Sequence, residues 1–124
     1  MAAANVNLKM EQGAQFYRRL TFSENSVPVD LTGWSFSAQM RETLPSTAIA
    51  ATFTTTILDQ VTNTGEMTLT LTAAETSAIV LNAVSTGTNR KVSKYVYDLE
   101  ATKPDGSVDR ILQGSVELSP EVTR

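Results

Sequence analysis

Between Tyr95 and Ser119 the chain alternates apolar and polar residues on both sides of one turn, Lys103-Pro104-Asp105-Gly106. Strand side chains point to opposite faces in turn, so Tyr95, Tyr97, Leu99 and Ala101 share a face of the first run. Val108, Arg110, Leu112, Gly114, Val116 and Leu118 share a face of the second. Pro104 presets φ at the first turn position, and Gly106 tolerates a positive φ. Two such runs flanking a turn of this chemistry define a β-hairpin. No other segment carries so continuous a pattern, so the hairpin is the expected template for the remaining strands.

The rest of the chain adds strands that fit this template. Val6, Leu8 and Met10 alternate before a break at Gln12-Gly13. From Gln15 to Phe22, Phe16, Arg18, Leu20 and Phe22 share a face, with Tyr17, Arg19 and Thr21 opposite. Ser23 to Ser26 is a polar turn, and Val27 to Gly33 an extended connection, because Pro28 is unsuited to a central ladder position. Trp34, Phe36, Ala38 and Met40 form the apolar face of a half-buried strand ending near Glu42. Ala50 to Leu58 puts Ala51, Phe53, Thr55 and Ile57 on one face, and Asn63-Thr64-Gly65 is the next turn tip. Met67, Leu69 and Leu71 point inward on the strand Glu66–Thr72, with Thr68 and Thr70 outward. A capping box, Thr72-Ala73-Ala74-Glu75, starts a helix expected to run to Leu81, with Ala74, Ala78 and Leu81 on its apolar stripe. Asn82 to Lys94 is a long polar loop. The sum is an all-β, antiparallel β-sandwich of about seven strands with one short helix, immunoglobulin-like or jelly-roll-like, in one domain spanning 1–124 with a frayed start.

Composition narrows the chemistry. The 124 residues include no cysteine and no histidine, which removes disulfides, thiolate chemistry, the commonest general base and the commonest transition-metal ligand. A net charge of −3 gives nucleic-acid binding no electrostatic support over the whole domain. No apolar run approaches the roughly 18 residues that span a bilayer, and the first residues lack the pattern of a signal peptide. No phosphate-cradling glycine loop and no Gly-x-Ser-x-Gly elbow occurs, so neither a cofactor nor an enzymatic activity is expected.

A few residues remain as candidates. Asp98 and Glu100 share a strand face and suit an acid/base pair or a hard cation, but a solvated face explains them more simply. Arg18 and Arg110 fall in line with apolar residues; they either serve an inter-subunit contact or reach past the apolar surface to water. Arg90, Lys91 and Lys94 can meet phosphate, or form a solvated loop that pairs with a neighbour's acidic surface. Trp34, Tyr95 and Tyr97 suit sugar stacking, although their alternation with small polar residues favours a core or interface role. The threonine-rich strands Ala50–Leu58 and Glu66–Thr72 are candidates for edge pairing with a partner chain.

Several local motifs, in this order, resemble a known group. They are Gln12-Gly13-Ala14-Gln15-Phe16, Val27 to Trp34, Gln39-Met40-Arg41, Tyr97-Asp98-Leu99-Glu100, Pro104-Asp105-Gly106, Arg110 to Val116, and Ser119 to Arg124. Together they resemble small β-sandwich proteins of tailed-phage virions, and in layout the N-terminal domains of baseplate upper proteins, which attach receptor-binding parts to a tail. The likeness skips Leu44 to Thr64 and Asn82 to Lys94. It implies a structural or attachment role in a virion, without catalysis, in contact with other virion proteins. Baseplate upper proteins continue into a fibre-like region where this chain stops, which implies a stand-alone adaptor, or a decoration or neck component. The expected state is a homo-oligomer, or many copies on a symmetric assembly. The alternatives are a carbohydrate-binding module built on Trp34, the tyrosines or the long loop, and a hydrolase built on Asp98 and Glu100.

Overall fold

The hairpin forms as its pattern requires. In the computed structural model, which describes residues 3–122, β10 (Ser93–Thr102) pairs antiparallel with β11 (Val108–Ser119). The turn closes through Gly106 N–H to Lys103 C=O and Lys103 N–H to Ser107 C=O, both 2.9 Å. Asp105 accepts from the Ser107 hydroxyl (2.7 Å) and backbone N–H (2.8 Å), and these bonds lower its pKa by favouring the carboxylate.

This hairpin is the spine of the larger sheet. On one side β10 pairs with β6 (Ser35–Arg41), which pairs with β7 (Ala51–Thr52). On the other side β11 pairs with β1 (Ala4–Asn5) and β2 (Leu8–Glu11), both parallel to it. The sandwich is therefore antiparallel except at its N-terminal edge. The smaller sheet has the order β3 (Phe16–Thr21), β9 (Glu66–Leu71), β8 (Thr54–Ile57). A miniature hairpin joins β4 (Ser23–Glu24) to β5 (Val27–Pro28) through Asn25 and Ser26, both at positive φ, inside the stretch expected to be a turn and connection. Among the described residues seven strands have four or more residues, matching the expected number, and the other four are two-residue pieces. Of the expected frayed start, Met1 and Ala2 lie outside the described residues, as do Thr123 and Arg124; Ala4 is held opposite Leu112.

Apolar side chains of the two sheets meet in one cluster that includes Met40, Met67, Leu69, Leu99, Val116 and Leu118. Among the described residues no buried side-chain nitrogen or oxygen lacks a hydrogen-bond partner. Thr68, expected outward, is only 5 % exposed. It lies on the outer face of the central strand, where its register neighbours Arg19 and Thr56 flank it from both sides.

At Phe53 the chain changes sheets. β7 completes the larger sheet and β8 the smaller one, so what reads as one strand from Ala50 to Leu58 is a corner. Phe53 N–H donates to Ala38 C=O (2.9 Å), and the Thr55 hydroxyl donates to Phe36 C=O (3.2 Å). This crossing closes one side of the sandwich. On the opposite side β1 and β2 edge one sheet, β3 edges the other, and among the described residues no strand joins them along their length.

The helix, α1 (Ala73–Ser77), starts with the capping box read from the sequence and is shorter than expected. Its buried contacts come from Thr76 and, just past it, Ile79. Of the expected stripe, Ala74 and Ala78 are exposed, while Leu81, beyond the helix, is half-buried against the core. Thr76 accepts from Gly13 N–H (3.0 Å) and donates to Ala14 C=O (2.9 Å). The helix thus pins the β2–β3 turn, and a hydroxyl does what the apolar stripe was expected to do.

Candidate interaction site

The open side is a seam with two lips. One lip is the edge of β1 and β2; the other is β3, which Gln12–Gln15 connects to β2 at the end held by Thr76. Two clefts lie along it. A cleft of about 770 Å³ sits between β2 and the start of β3, walled by Leu8, Met10 and Phe16 together with the charged Lys9, Glu11, Arg18 and Glu117. A second, of about 460 Å³, sits between Ala4 and the end of β3, walled by Leu20, Phe22, Val29, Trp34 and Ile111.

Arg18 stands between the clefts on the inner row of β3, with Phe16 before it and Leu20 after it. Phe16 is buried and Leu20 half-buried, but Arg18 is exposed and makes no ion pair among the described residues. Its neighbour on the outer row, Arg19, is bound to Glu66 at 2.8 Å and to Asn63 at 3.1 Å. Arg18 is close enough to Tyr97 to act on it: burial raises the phenol pKa, and the Arg18 charge partly offsets that. The Tyr97 hydroxyl donates to Val6 C=O (2.7 Å) and so holds the N-terminal lip in place.

A β-bulge builds the second cleft. Between β10 and β11 the register shifts at Leu99/Glu100, so Leu99 faces Leu112 while Glu100 faces Arg110, and Ile111 is the extra residue. A bulge of this kind re-aims the side chains that follow it. Ile111 and Asp109 turn into the cleft, where Asp109 pairs with Lys103 at 3.1 Å and raises the Lys103 pKa, chiefly by accepting its hydrogen bond. Arg110 turns out, toward Asp98 at 3.6 Å and the Gln113 side chain at 3.3 Å. The expectation that Arg110 shares the face of Leu112 is overturned by this one inserted residue.

The remaining candidates separate. Tyr95, expected as an interface residue, is 2 % exposed, and its hydroxyl donates to Val80 C=O. Burial raises its pKa, against a smaller opposing effect of a hydrogen bond with Ser93. Trp34 is half-buried in the wall of the second cleft, stacked on Phe36 (centroids 6.2 Å) and 5.8 Å from the Lys103 ammonium. Arg90 and Lys91 are exposed on the long loop and line neither seam cleft, although Val92, next in the chain, lines the first. The base of that loop is fixed by Asn82, whose side chain exchanges hydrogen bonds with the Lys94 backbone. Asp98 and Glu100 lie on the outer face of the larger sheet, with Arg110 beside Asp98. Among the described residues no group of three acidic, histidine or cysteine side chains is placed to hold a metal, and no helix is long and apolar enough to cross a membrane.

β9 is paired on both sides, so Glu66–Thr72 is not an edge; β7 and β8, from Ala50–Leu58, do end their sheets, but they meet at the crossing, where Phe53 and Thr55 bond to β6. The open edge is β3. The inward turn of Ile111 and Asp109 is not legible in the sequence, because a bulge leaves no mark in an alternating pattern; Lys103 follows through its pair with Asp109. Tyr17, 56 % exposed on β3, was legible as an outward residue of an aromatic type enriched at interfaces.

The fold and the seam together define an all-β, sandwich-like protein with one closed and one open side. No protein-family model matches the chain, and no curated protein sequence matches it.

Proposed function

We propose that this protein is an interaction module of a larger protein assembly, and specifically a structural component of a tailed-phage virion. In this reading it is a tail or baseplate adaptor that attaches fibre or receptor-binding parts; a head decoration or neck position is the alternative placement. The virion assignment rests on the sequence resemblance. The interaction role is supported by one observation above all, the open seam: two free strand edges face each other across clefts that the chain's own side chains leave unfilled. Free edges are templates for another chain.

The competing readings have less support. A hydrolase would need Asp98 and Glu100 to line a pocket; both do line an open cleft of about 250 Å³ on the outer sheet face, together with Gln39 and Arg41, but the Arg110 guanidinium sits 3.6 Å from Asp98. A sugar platform would rest on Trp34 and the exposed Tyr17, which line different clefts, since Tyr95 and Tyr97 are buried; the indole already contacts Phe36 and Lys103.

Mass spectrometry of phage particles purified from cultures carrying the gene tests the virion assignment. Peptides of this chain are expected in the intact particles, in a fixed ratio to the major structural proteins through successive density gradients. Loss of the chain during purification, with particles intact, would overturn it.

A further inference from the structure

We propose that the seam takes up one extended segment of another protein as an added strand on β3, and that this segment carries an acidic residue flanked two positions away on each side by apolar ones. The inference deepens the interaction reading above and rests on it. Three observations point to it.

The first is backbone direction. Phe22 N–H donates to Gly65 C=O at 2.7 Å, continuing the antiparallel register of β3 with β9. Backbone groups point to alternate sides along a strand, so Arg18, Leu20 and Phe22 face β9, and Tyr17, Arg19 and Thr21 present N–H and C=O to the open side. Three consecutive edge positions are enough to template a short strand.

The second is spacing. Side chains on one face of a strand lie about 6.6–6.8 Å apart along it. A residue opposite Arg18 therefore has neighbours two positions away that reach the clefts beside Phe16 and Leu20. The second cleft has mainly apolar walls, and the first offers Leu8, Met10 and Phe16 to an apolar side chain among the charged Lys9, Glu11 and Glu117.

The third is charge. Arg18 sits between the two clefts with no ion-pair partner among the described residues, so a carboxylate on the incoming strand meets an unneutralised guanidinium. From the other lip Lys9, Glu11 and Glu117 line the same cleft as Arg18, with Lys9 opposite Glu117 in register, and neither glutamate is within ion-pair distance of Arg18. The same charge argues against a second copy pairing through its own β3. The centred two-fold register places Arg18 against Arg18, and a slip that brings Arg19 opposite Arg19 repeats the conflict.

The test uses the full chain with a probe strand tethered to it. Glu121 N–H donates to the Gln12 side chain at 3.1 Å, so the C-terminal segment lies beside the β2–β3 turn, at one end of the seam. A glycine/serine linker of about 12 residues spans roughly 20 Å and supplies an effective concentration in the millimolar range. It would carry the heptapeptide threonine-valine-threonine-glutamate-threonine-valine-threonine, or the same peptide with lysine replacing glutamate. Amide hydrogen exchange read by NMR is expected to slow at Tyr17, Arg19 and Thr21 by about tenfold more with the glutamate peptide than with the lysine one. Arg18→Glu, at an exposed position, is expected to invert the preference. Equal exchange in the two fusions, or slowing that ignores the sign of the central residue, would overturn the proposal. Neither result bears on whether the chain is found in particles, so this proposal and the virion assignment fail separately.

Discussion

Phe53→Ala is expected to cost about 3–5 kcal/mol, the range for removing a fully packed aromatic ring. The ring is 4 % exposed at the corner where the chain leaves the larger sheet for the smaller. It makes edge contacts with Phe16 at 5.9 Å and Tyr97 at 6.2 Å, so it touches both the strand that forms one lip and the tyrosine that holds the other. A cavity there cannot collapse easily, because the backbone on each side is tied to a different sheet. Equilibrium urea unfolding measures the cost as a fall in midpoint at an unchanged slope. A loss below about 1 kcal/mol would mean that the ring does not hold the corner, since removal of a buried aromatic ring costs several times that.

Gly65→Ala is expected to cost about 2–4 kcal/mol, from left-handed strain and displaced backbone together. Gly65 has φ +82°, and a Cβ there would lie 2.5 Å from Phe22 C=O and 3.2 Å from both N and O of Val29. None of these atoms belongs to a side chain that can swing away. The Gly65 N–H is also held by the Gln60 side chain (2.8 Å), which accepts from Leu31 N–H as well (2.9 Å). Displacement here therefore reaches Phe22 and Val29 in the wall of the second cleft. Gly106→Ala is the control: φ is +90° but nothing lies within 4 Å of the added carbon, so only the strain, about 1–2 kcal/mol, remains. Equal losses for the two variants in thermal or urea unfolding would contradict the close approach at Gly65.

The parts of the fold that were legible in the sequence are those where local chemistry and tertiary packing agree. The hairpin turn, the capping box at Thr72 and the inward sets Ala38-Met40 and Met67-Leu69-Leu71 each follow from spacing alone. What escaped depends on neighbours that are remote in sequence. The Ala50–Leu58 stretch alternates without interruption, and its half-buried Ala51, Thr55 and Ile57 flank the buried Phe53 as the pattern says. The change of hydrogen-bonding partner at Phe53 leaves no trace, because both sheets accept the same alternation. The bulge at Ile111 hides for the same reason, and it reverses the side on which Arg110 and Asp109 fall. Arg18 was singled out correctly as a charge on an apolar row, but whether its row is covered depends on how many strands the smaller sheet has. Tyr95 was misplaced as an interface residue because its hydroxyl finds Val80 C=O, which lies in the connection after α1 and carries no sequence signal.

The central claim is that β3 is a free edge facing an open seam. Site-resolved amide exchange of the untethered protein, at two concentrations, tests it most directly. Arg18, Leu20 and Phe22 should exchange slowly, while Tyr17, Arg19 and Thr21 exchange orders of magnitude faster, giving alternation along one strand. Uniformly slow exchange from Tyr17 to Thr21 would contradict the claim. If that protection grows with concentration, a second copy covers the edge; if it does not, the seam is closed by the chain itself.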